Sequence, residues 1–205
     1  DGICTEIIGA GIKGNLPTTL NISDVGSISH IIVEATFDGG GGTPDEVTFT
    51  NGDGLAFTVP YNNFNNDNDR WYRAYFDATD EITLTVPNGT NANRAETMIA
   101  YVFHNCDNTA SSGKFTHKKL WKSSHVFDLS IPTAGTTRDI EISVPLSEIS
   151  NDGRIAQIIA TAGTITQTIT IDDFNFGNSL NITPFTMVDV PGDVDNIQIE
   201  VISPS

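Results

Sequence analysis

Apolar and polar residues alternate along most of this 205-residue chain. Val47 and Phe49 stand two positions apart, and the same period recurs in the segments 140–144 and 197–201. Successive side chains of a β-strand point to opposite faces, so this period predicts strands with one buried and one solvated face. No segment longer than a turn carries the helical period of about 3.6 residues. The pattern therefore predicts an all-β fold.

Turn signals rich in Asn, Asp and Gly separate the predicted strands, for example at 38–42, 51–54 and 151–153. These residue types supply the backbone conformations that tight turns require. Turns spaced about eight to twelve residues apart favour an antiparallel β-sandwich over a propeller with its blade-length repeat. We therefore expect a β-sandwich of the immunoglobulin-like or jelly-roll type.

Two segments, 98–103 and 155–160, are apolar on both faces. Such strands belong at the centre of a sheet that is covered on both sides, or near an interface. The polar stretch 104–113 divides the chain into two halves with similar numbers of predicted strands. It predicts two sandwich domains in tandem, 1–110 and 111–205, with a single large sandwich over 1–205 as the alternative.

Acidic residues dominate the charge, with 26 Asp and Glu against 10 Lys and Arg and a net charge of −16. A field of this sign repels phosphate backbones and anionic lipid, so the sequence excludes nucleic acid as a partner. The acidity also serves solubility, which is the simpler interpretation. No apolar run reaches the roughly 20 residues of a membrane-spanning helix, so we expect no membrane insertion. The abundance of Thr, Asn, Asp, Gly and Ser predicts an extracellular or cell-surface location.

The two cysteines, Cys4 and Cys106, are too few for a disulfide scaffold and lack the spacing of a zinc site. In an oxidising compartment they can form one disulfide bond between the first strand and the middle of the chain. Two buried free thiols are the alternative.

A run of Asn and Asp residues between Tyr61 and Trp71 is dense in oxygen ligands. Calcium takes six to eight such oxygens from carboxylates, amides and backbone carbonyls. We expect calcium, if bound, at Asn66, Asp67 and Asp69, with Asp38, Asp45 or Asp53 arriving from neighbouring turns. The alternative is a solvated loop rich in Asx turns.

Aromatic side chains flank the same loop, and rings beside amides are the groups that bind sugars. Trp71, Tyr61 and Asn63 are therefore the candidate ligand-binding residues, with glycans as the expected ligand. Because Trp71 and Tyr72 are adjacent in one predicted strand, one of the two belongs to the core.

A basic segment at 114–125 stands out in this acidic chain. Its residues Lys118, Lys119, Trp121 and Lys122 are candidates for contact with the acidic surface of another copy or of an adjacent module. An ordinary edge strand, whose lysines prevent unwanted pairing, is the alternative interpretation.

Motifs for catalysis are missing from the sequence. The four histidines lack the spacing of a metal site, and no nucleophile elbow or phosphate-binding glycine loop precedes a helix. Acidic pairs such as Asp172 and Asp173 carry no sign of the separation that a glycosidase needs. We therefore predict that the protein is not an enzyme.

Several segments together resemble the repeat modules of very large bacterial surface adhesins of the gliding-motility type. They are Cys4-Thr5-Glu6, 100–105, Ile131-Pro132, 138–145, 151–154, 190–192 and 202–204. The resemblance implies a β-rich surface module and assigns a role to no individual residue.

Two functional hypotheses follow. The first is a non-catalytic extracellular module that acts in adhesion or as a structural subunit of a surface filament or layer. The second is a calcium-assisted carbohydrate-binding module of a secreted protein. The expected partners are other copies or adjacent modules of a surface protein in the first case, and glycans in the second.

Overall fold

The computed structural model describes residues 2–63, 69–106, 112–116, 124–146, 156–171 and 181–202. These residues form 16 strands and two short 3-10 turns, Val25–Ser27 and Ala92–Arg94. The strands are β1 (Gly2–Gly11), β2 (Thr18–Asn21), β3 (Ile28–Phe37), β4 (Glu46–Asn51), β5 (Ala56–Pro60), β6 (Asn62–Asn63), β7 (Arg70–Phe76), β8 (Glu81–Thr85), β9 (Ala95–Cys106), β10 (Ser112–Thr116), β11 (His125–Ser130), β12 (Arg138–Leu146), β13 (Ala156–Ala162), β14 (Ile165–Ile171), β15 (Asn181–Val190) and β16 (Asn196–Ile202). The predicted all-β fold is confirmed. No helix in the described part of the chain is long and apolar enough to cross a membrane.

The chain divides into two compact units. We call Ile7–Phe103 the first sandwich, and Asp1–Glu6 with His104–Ser205 the second sandwich. The predicted domains 1–110 and 111–205 differ from this division at residues 1–6 and 104–110.

The first sandwich contains a five-stranded sheet in the order β1-β9-β3-β7-β6 and a four-stranded sheet in the order β2-β8-β4-β5. Alternate residues of both sheets enter one shared core, as the period of two predicts. Phe37 and Tyr72 from the first sheet meet edge to face with ring centroids 5.4 Å apart. Phe49 and Leu84 supply the same core from the second sheet and are fully buried. Tyr72, and not Trp71, is the core member of its pair.

The second sandwich contains sheets in the orders β10-β12-β15 and β11-β16-β13-β14. Its core also draws on both sheets, with Ile142 and Met187 from one and Ile158 and Ile199 from the other. The predicted antiparallel β-sandwich is thus confirmed, with one exception. Strands β10 and β12 pair in parallel, which is possible because β11 lies between them in sequence and belongs to the other sheet.

Strand β9 is buried on both faces from Met98 to Phe103, as its apolar sequence predicts. The second segment predicted to behave in this way differs. In β13, Ile158 and Ala160 are buried, whereas Gln157 and Ile159 are half-buried. That strand therefore follows the ordinary pattern of one buried face.

Polar groups are buried on the face of the five-stranded sheet that points away from the core. Arg73 donates to Glu34 Oε2 from Nη2 at 2.6 Å and from Nε at 3.1 Å, because the register places the two residues opposite each other on β7 and β3. The Glu34 side chain is only 2% exposed. Burial disfavours the charge of Arg73, but the Glu34 carboxylate outweighs burial and raises the pKa of the guanidinium. Burial, and then the Glu34 charge, raises the pKa of nearby Tyr101 well above its usual value.

We predict that Arg73→Met destabilises the first sandwich by about 3–5 kcal/mol, because it leaves the Glu34 carboxylate buried without its counter-charge. Urea unfolding followed by tryptophan fluorescence measures this loss. Asp45→Asn is the control, since Asp45 pairs with Arg70 but is 87% exposed, and we expect at most about 1 kcal/mol there. Adding Glu34→Leu to Arg73→Met should restore most of the loss. A loss below that of the control would contradict this account of the buried pair.

Candidate functional site

Three carboxylates converge at one end of the five-stranded sheet, and we call them the carboxylate triad. Asp38, Asp69 and Glu96 each offer an oxygen that lies within 4.8 Å of the others. Asp69 and Glu96 are buried, while Asp38 is exposed. The three residues are far apart in sequence, so the fold alone brings them together.

The strand register explains this convergence. Phe37, the last residue of β3, pairs with Arg70, the first residue of β7. The next position on each strand is Asp38 and Asp69, which therefore face each other beyond the ladder. Glu96 is the second residue of β9, on the other side of β3. Three neighbouring strands thus each contribute one carboxylate at the same edge.

The glycine-rich segment 39–42 wraps around this edge and packs on the turn that precedes β9. Arg94 Nη1 donates to Asp38 Oδ2 at 3.0 Å and to the Gly39 carbonyl at 3.1 Å. The Gly39 amide donates to Asp69 Oδ1 at 3.1 Å. Gly42 has φ +84, and a Cβ there would lie 2.7 Å from the Asn91 Cβ. Only glycine fits at this position without displacing the neighbouring turn.

The chemistry of the triad is that of a hard-cation site. Carboxylate oxygens grouped at this spacing are the ligands that calcium and magnesium prefer. Burying two carboxylates together is unfavourable unless donors or positive charge compensate. The Gly39 amide and Arg94 supply part of this compensation, and a bound cation would supply more.

A shallow depression of about 420 Å³ lies in the first sandwich, near β4. Two turns form its walls, at 42–46 and 87–90. The guanidinium of Arg70 joins this region to the aromatic residues: it donates to Asp45 Oδ1 at 3.0 Å and to the Pro44 carbonyl at 3.1 Å. Its carbon also stands 3.8 Å from the centre of the Tyr61 ring, in a cation–π contact. The depression is therefore polar on its floor and aromatic near its rim.

The residues predicted to bind calcium are divided. Asp69 belongs to the triad, and Asp38 arrives from a neighbouring turn. Asn66 and Asp67 lie outside the described residues. Asp45 is engaged by Arg70.

Glu96 was not predicted as a ligand. It stands within an alternating strand, where a lone Glu is normally solvent-facing, and only its place as the second residue of β9 hints at an edge position.

The residues predicted to bind sugar do not gather on one surface. Tyr61 stacks on Arg70, whereas Trp71 lies under Arg73, whose guanidinium carbon is 5.0 Å from the ring centre. Arg70 and Arg73 sit on opposite faces of β7 because they are three residues apart. Asn63 is exposed in the two-residue strand β6, opposite Arg70. A sugar that stacks on Tyr61 would therefore lie on the other side of the sheet from Trp71.

Two further sets of predicted residues lie outside the described part. Lys118, Lys119, Trp121 and Lys122 all belong to 117–123, which the structure does not describe. The side chains of Cys4 and Cys106 are likewise not described. Their backbones lie on the adjacent strands β1 and β9, and the disulfide bond stays a prediction.

Comparison with known proteins gives no family. No protein-family model matches the chain, and no curated protein does. Among solved structures, one of the Sulfolobus turreted icosahedral virus covers 98% of this chain and 90% of its own, with 8% identity and a TM-score of 0.34. The CUB1-EGF-CUB2 region of human MASP-1/3 covers 96% and 99%, with 9% identity and a TM-score of 0.27. The corresponding rat MASP-1 region covers 97% of each chain, with 8% identity and a TM-score of 0.24. Overlap this low supports no argument about function.

Tyr72 gives this region a testable response to pH. Its hydroxyl donates to the Pro44 carbonyl, and burial raises its pKa to about 12. The folded state therefore holds this proton more tightly than the unfolded chain, whose tyrosines titrate near about 10. We predict that stability declines as pH rises from about 10 to about 12, and that Tyr72→Phe removes part of this decline. Thermal unfolding across this range measures the effect, with exposed Tyr75→Phe as the control. Equal slopes in all three proteins would contradict the assignment.

Proposed function

We propose that this chain is a non-catalytic structural or adhesive module that works outside the cell, as a subunit of a surface filament or layer. The observation that carries the proposal is the tandem arrangement: each half of the chain is a β-sandwich with its own two-sheet core. Modules of this kind keep their shape without a ligand, because the core alone supplies the burial that folding needs. They suit a chain that must present surfaces and join neighbours.

The buried charges in the described residues also serve structure. Glu34 and Arg73 hold two strands of one sheet together. Arg138, whose pKa burial lowers, donates to the Pro132 carbonyl and so ties β12 to the segment before it. These groups are spent on the scaffold itself, which favours a structural role over a reactive one.

The net charge of −16 supports the external location. A strongly acidic surface keeps a module dispersed and repels anionic lipid and nucleic acid. The resemblance to modules of bacterial surface adhesins points the same way.

Localisation on the source cells tests the proposal. We expect immunogold labelling on the cell surface or on extracellular polymers, and rapid loss of the protein when intact cells are treated with protease. A known cytosolic protein followed in the same samples is the control for cell lysis. Recovery of the chain only together with the cytosolic control would refute the proposed function.

A second candidate is calcium-assisted binding of carbohydrate, and the carboxylate triad is the observation that favours it. Asp38, Asp69 and Glu96 would hold the cation, and the depression between 42–46 and 87–90 lies in the same sandwich. Tyr61, 36% exposed beside Arg70, would be the stacking ring.

Calcium should then stabilise the folded chain by about 2.7 kcal/mol at a hundred times its dissociation constant. Thermal unfolding with calcium and with a chelator measures this gain. We expect Glu96→Gln to abolish it, while Asp53→Asn, an exposed carboxylate in the turn between β4 and β5, leaves it unchanged. An equal gain in both variants would show that calcium acts elsewhere.

A further inference from the structure

Strand β14 forms one edge of its sheet in the second sandwich. It comes last in the order β11-β16-β13-β14, and among the described strands it pairs with β13 alone. An edge strand presents a row of N–H and C=O groups that can pair with another chain. Natural proteins usually protect such edges with charged residues, with proline, or by keeping the strand very short.

The other edge strands that the structure describes carry this protection. Two of them are very short, with four residues in β2 and two in β6. The longer ones contain a charged residue or a proline: Glu6 in β1, Pro60 in β5, Lys114 in β10, Asp128 in β11, and Pro184 and Asp189 in β15. Strand β14 reads Ile-Thr-Gln-Thr-Ile-Thr-Ile and has neither. Its edge is therefore open to pairing.

The sequence of this edge is also self-complementary. Residues 164–170 read Thr-Ile-Thr-Gln-Thr-Ile-Thr, which is the same in both directions around Gln167. Two copies placed antiparallel about a two-fold axis at Gln167 would set Ile165 of one copy against Ile169 of the other. They would likewise set Thr166 against Thr168. Like therefore meets like along the whole segment, as an isologous interface between identical chains requires.

The direction of the free hydrogen-bonding groups agrees with this register. The turn between β13 and β14 has two residues, and Ala162 and Ile165 form the pair that closes it. In a two-residue hairpin this pair is hydrogen-bonded, and hydrogen-bonded pairs then alternate along the ladder. Ile165, Gln167 and Ile169 thus bond to β13. Thr166 and Thr168 direct their N–H and C=O groups to the open edge.

Pairing about Gln167 joins outward groups to outward groups. Thr166 of one copy meets Thr168 of the other, and both have free backbone groups on that side. A centre of symmetry between two residues would instead have set outward groups against inward ones. The threonine side chains also continue a row that begins in β13, where Thr161 Oγ1 lies 3.3 Å from Thr166 Oγ1. Thr–Thr pairs across strands are favourable.

We infer that β14 pairs with β14 of a second copy of this chain, antiparallel and centred on Gln167, so that two four-stranded sheets become one. The inference deepens the proposed function, on which it rests, by naming a surface through which copies join. A second copy fits better than an unrelated strand because the segment complements itself.

The first test is the molar mass of the whole chain by size-exclusion chromatography with light scattering. We expect twice 22.0 kDa for the wild type and a monomer for Thr168→Pro, which removes one outward N–H and leaves the bonds to β13 intact. Thr58→Pro is the matched control. Thr58 pairs with Thr48 in the edge strand β5, and the Asn51 N–H bond to the Leu55 carbonyl sets the alternation that turns its N–H outward. This variant should remain dimeric.

The second test is a disulfide cross-link at the symmetry axis, which decides the matter even if Thr168→Pro fails to fold. Two Gln167→Cys residues would face each other at about 4.5 Å between Cα atoms, within the range of a disulfide. We expect oxidation to give a covalent dimer on a non-reducing gel, and no such dimer from Thr58→Cys or from the wild type.

A wild type that is monomeric up to about 1 mM, the dissociation constant of a weak complex, would overturn the inference. A dimer that Gln167→Cys does not cross-link would overturn it too, because the copies would then join elsewhere. The proposed function fails separately. A monomer on the cell surface refutes only the strand pairing, whereas a β14-linked dimer confined to the cytosol refutes only the surface role.

Discussion

The pairing of β3 with β7 is the constraint on which the first sandwich depends. Its register sets Phe37 against Arg70 and Glu34 against Arg73. One face of this pair supplies the core, where Phe37 and Tyr72 meet, and the other face holds the buried ion pair. Beyond the last pair of the ladder, the same register leaves Asp38 and Asp69 facing each other. A shift of one residue would turn the core side chains outward and separate the carboxylates.

The alternation of residues was sufficient to predict the strands and the two-sheet cores, because a period of two is a local property. The pairing of strands was not predictable in this way. Glu96 joins Asp38 and Asp69 through contacts between distant parts of the chain, and no local pattern marks it. Glu34 likewise sits in the polar positions of an alternating strand, which normally face solvent. Its burial depends on what covers that face, and only the structure shows it.

The candidate calcium site shows both the reach and the limit of composition. The density of Asn and Asp before Trp71 correctly drew attention to this end of the sheet, since Asp69 stands in the triad. Composition could not distinguish a ligand from a residue engaged otherwise. Asp45 is equally acidic and close in sequence, yet it pairs with Arg70. The choice between these roles rests on which strand ends adjoin, and so on sheet order.

The net charge of −16 and the neutral edge of β14 act on assembly in opposite directions. Copies of so acidic a chain repel each other, and the repulsion is screened beyond about 8 Å at physiological ionic strength. A contact therefore forms most easily where the approaching surfaces carry no charge and where short-range hydrogen bonds reward close approach. The segment 164–170 meets both conditions, whereas β11 and β15 carry acidic residues at their edges. Acidity over most of the surface thus directs association toward the one long edge strand in the described chain that is left neutral.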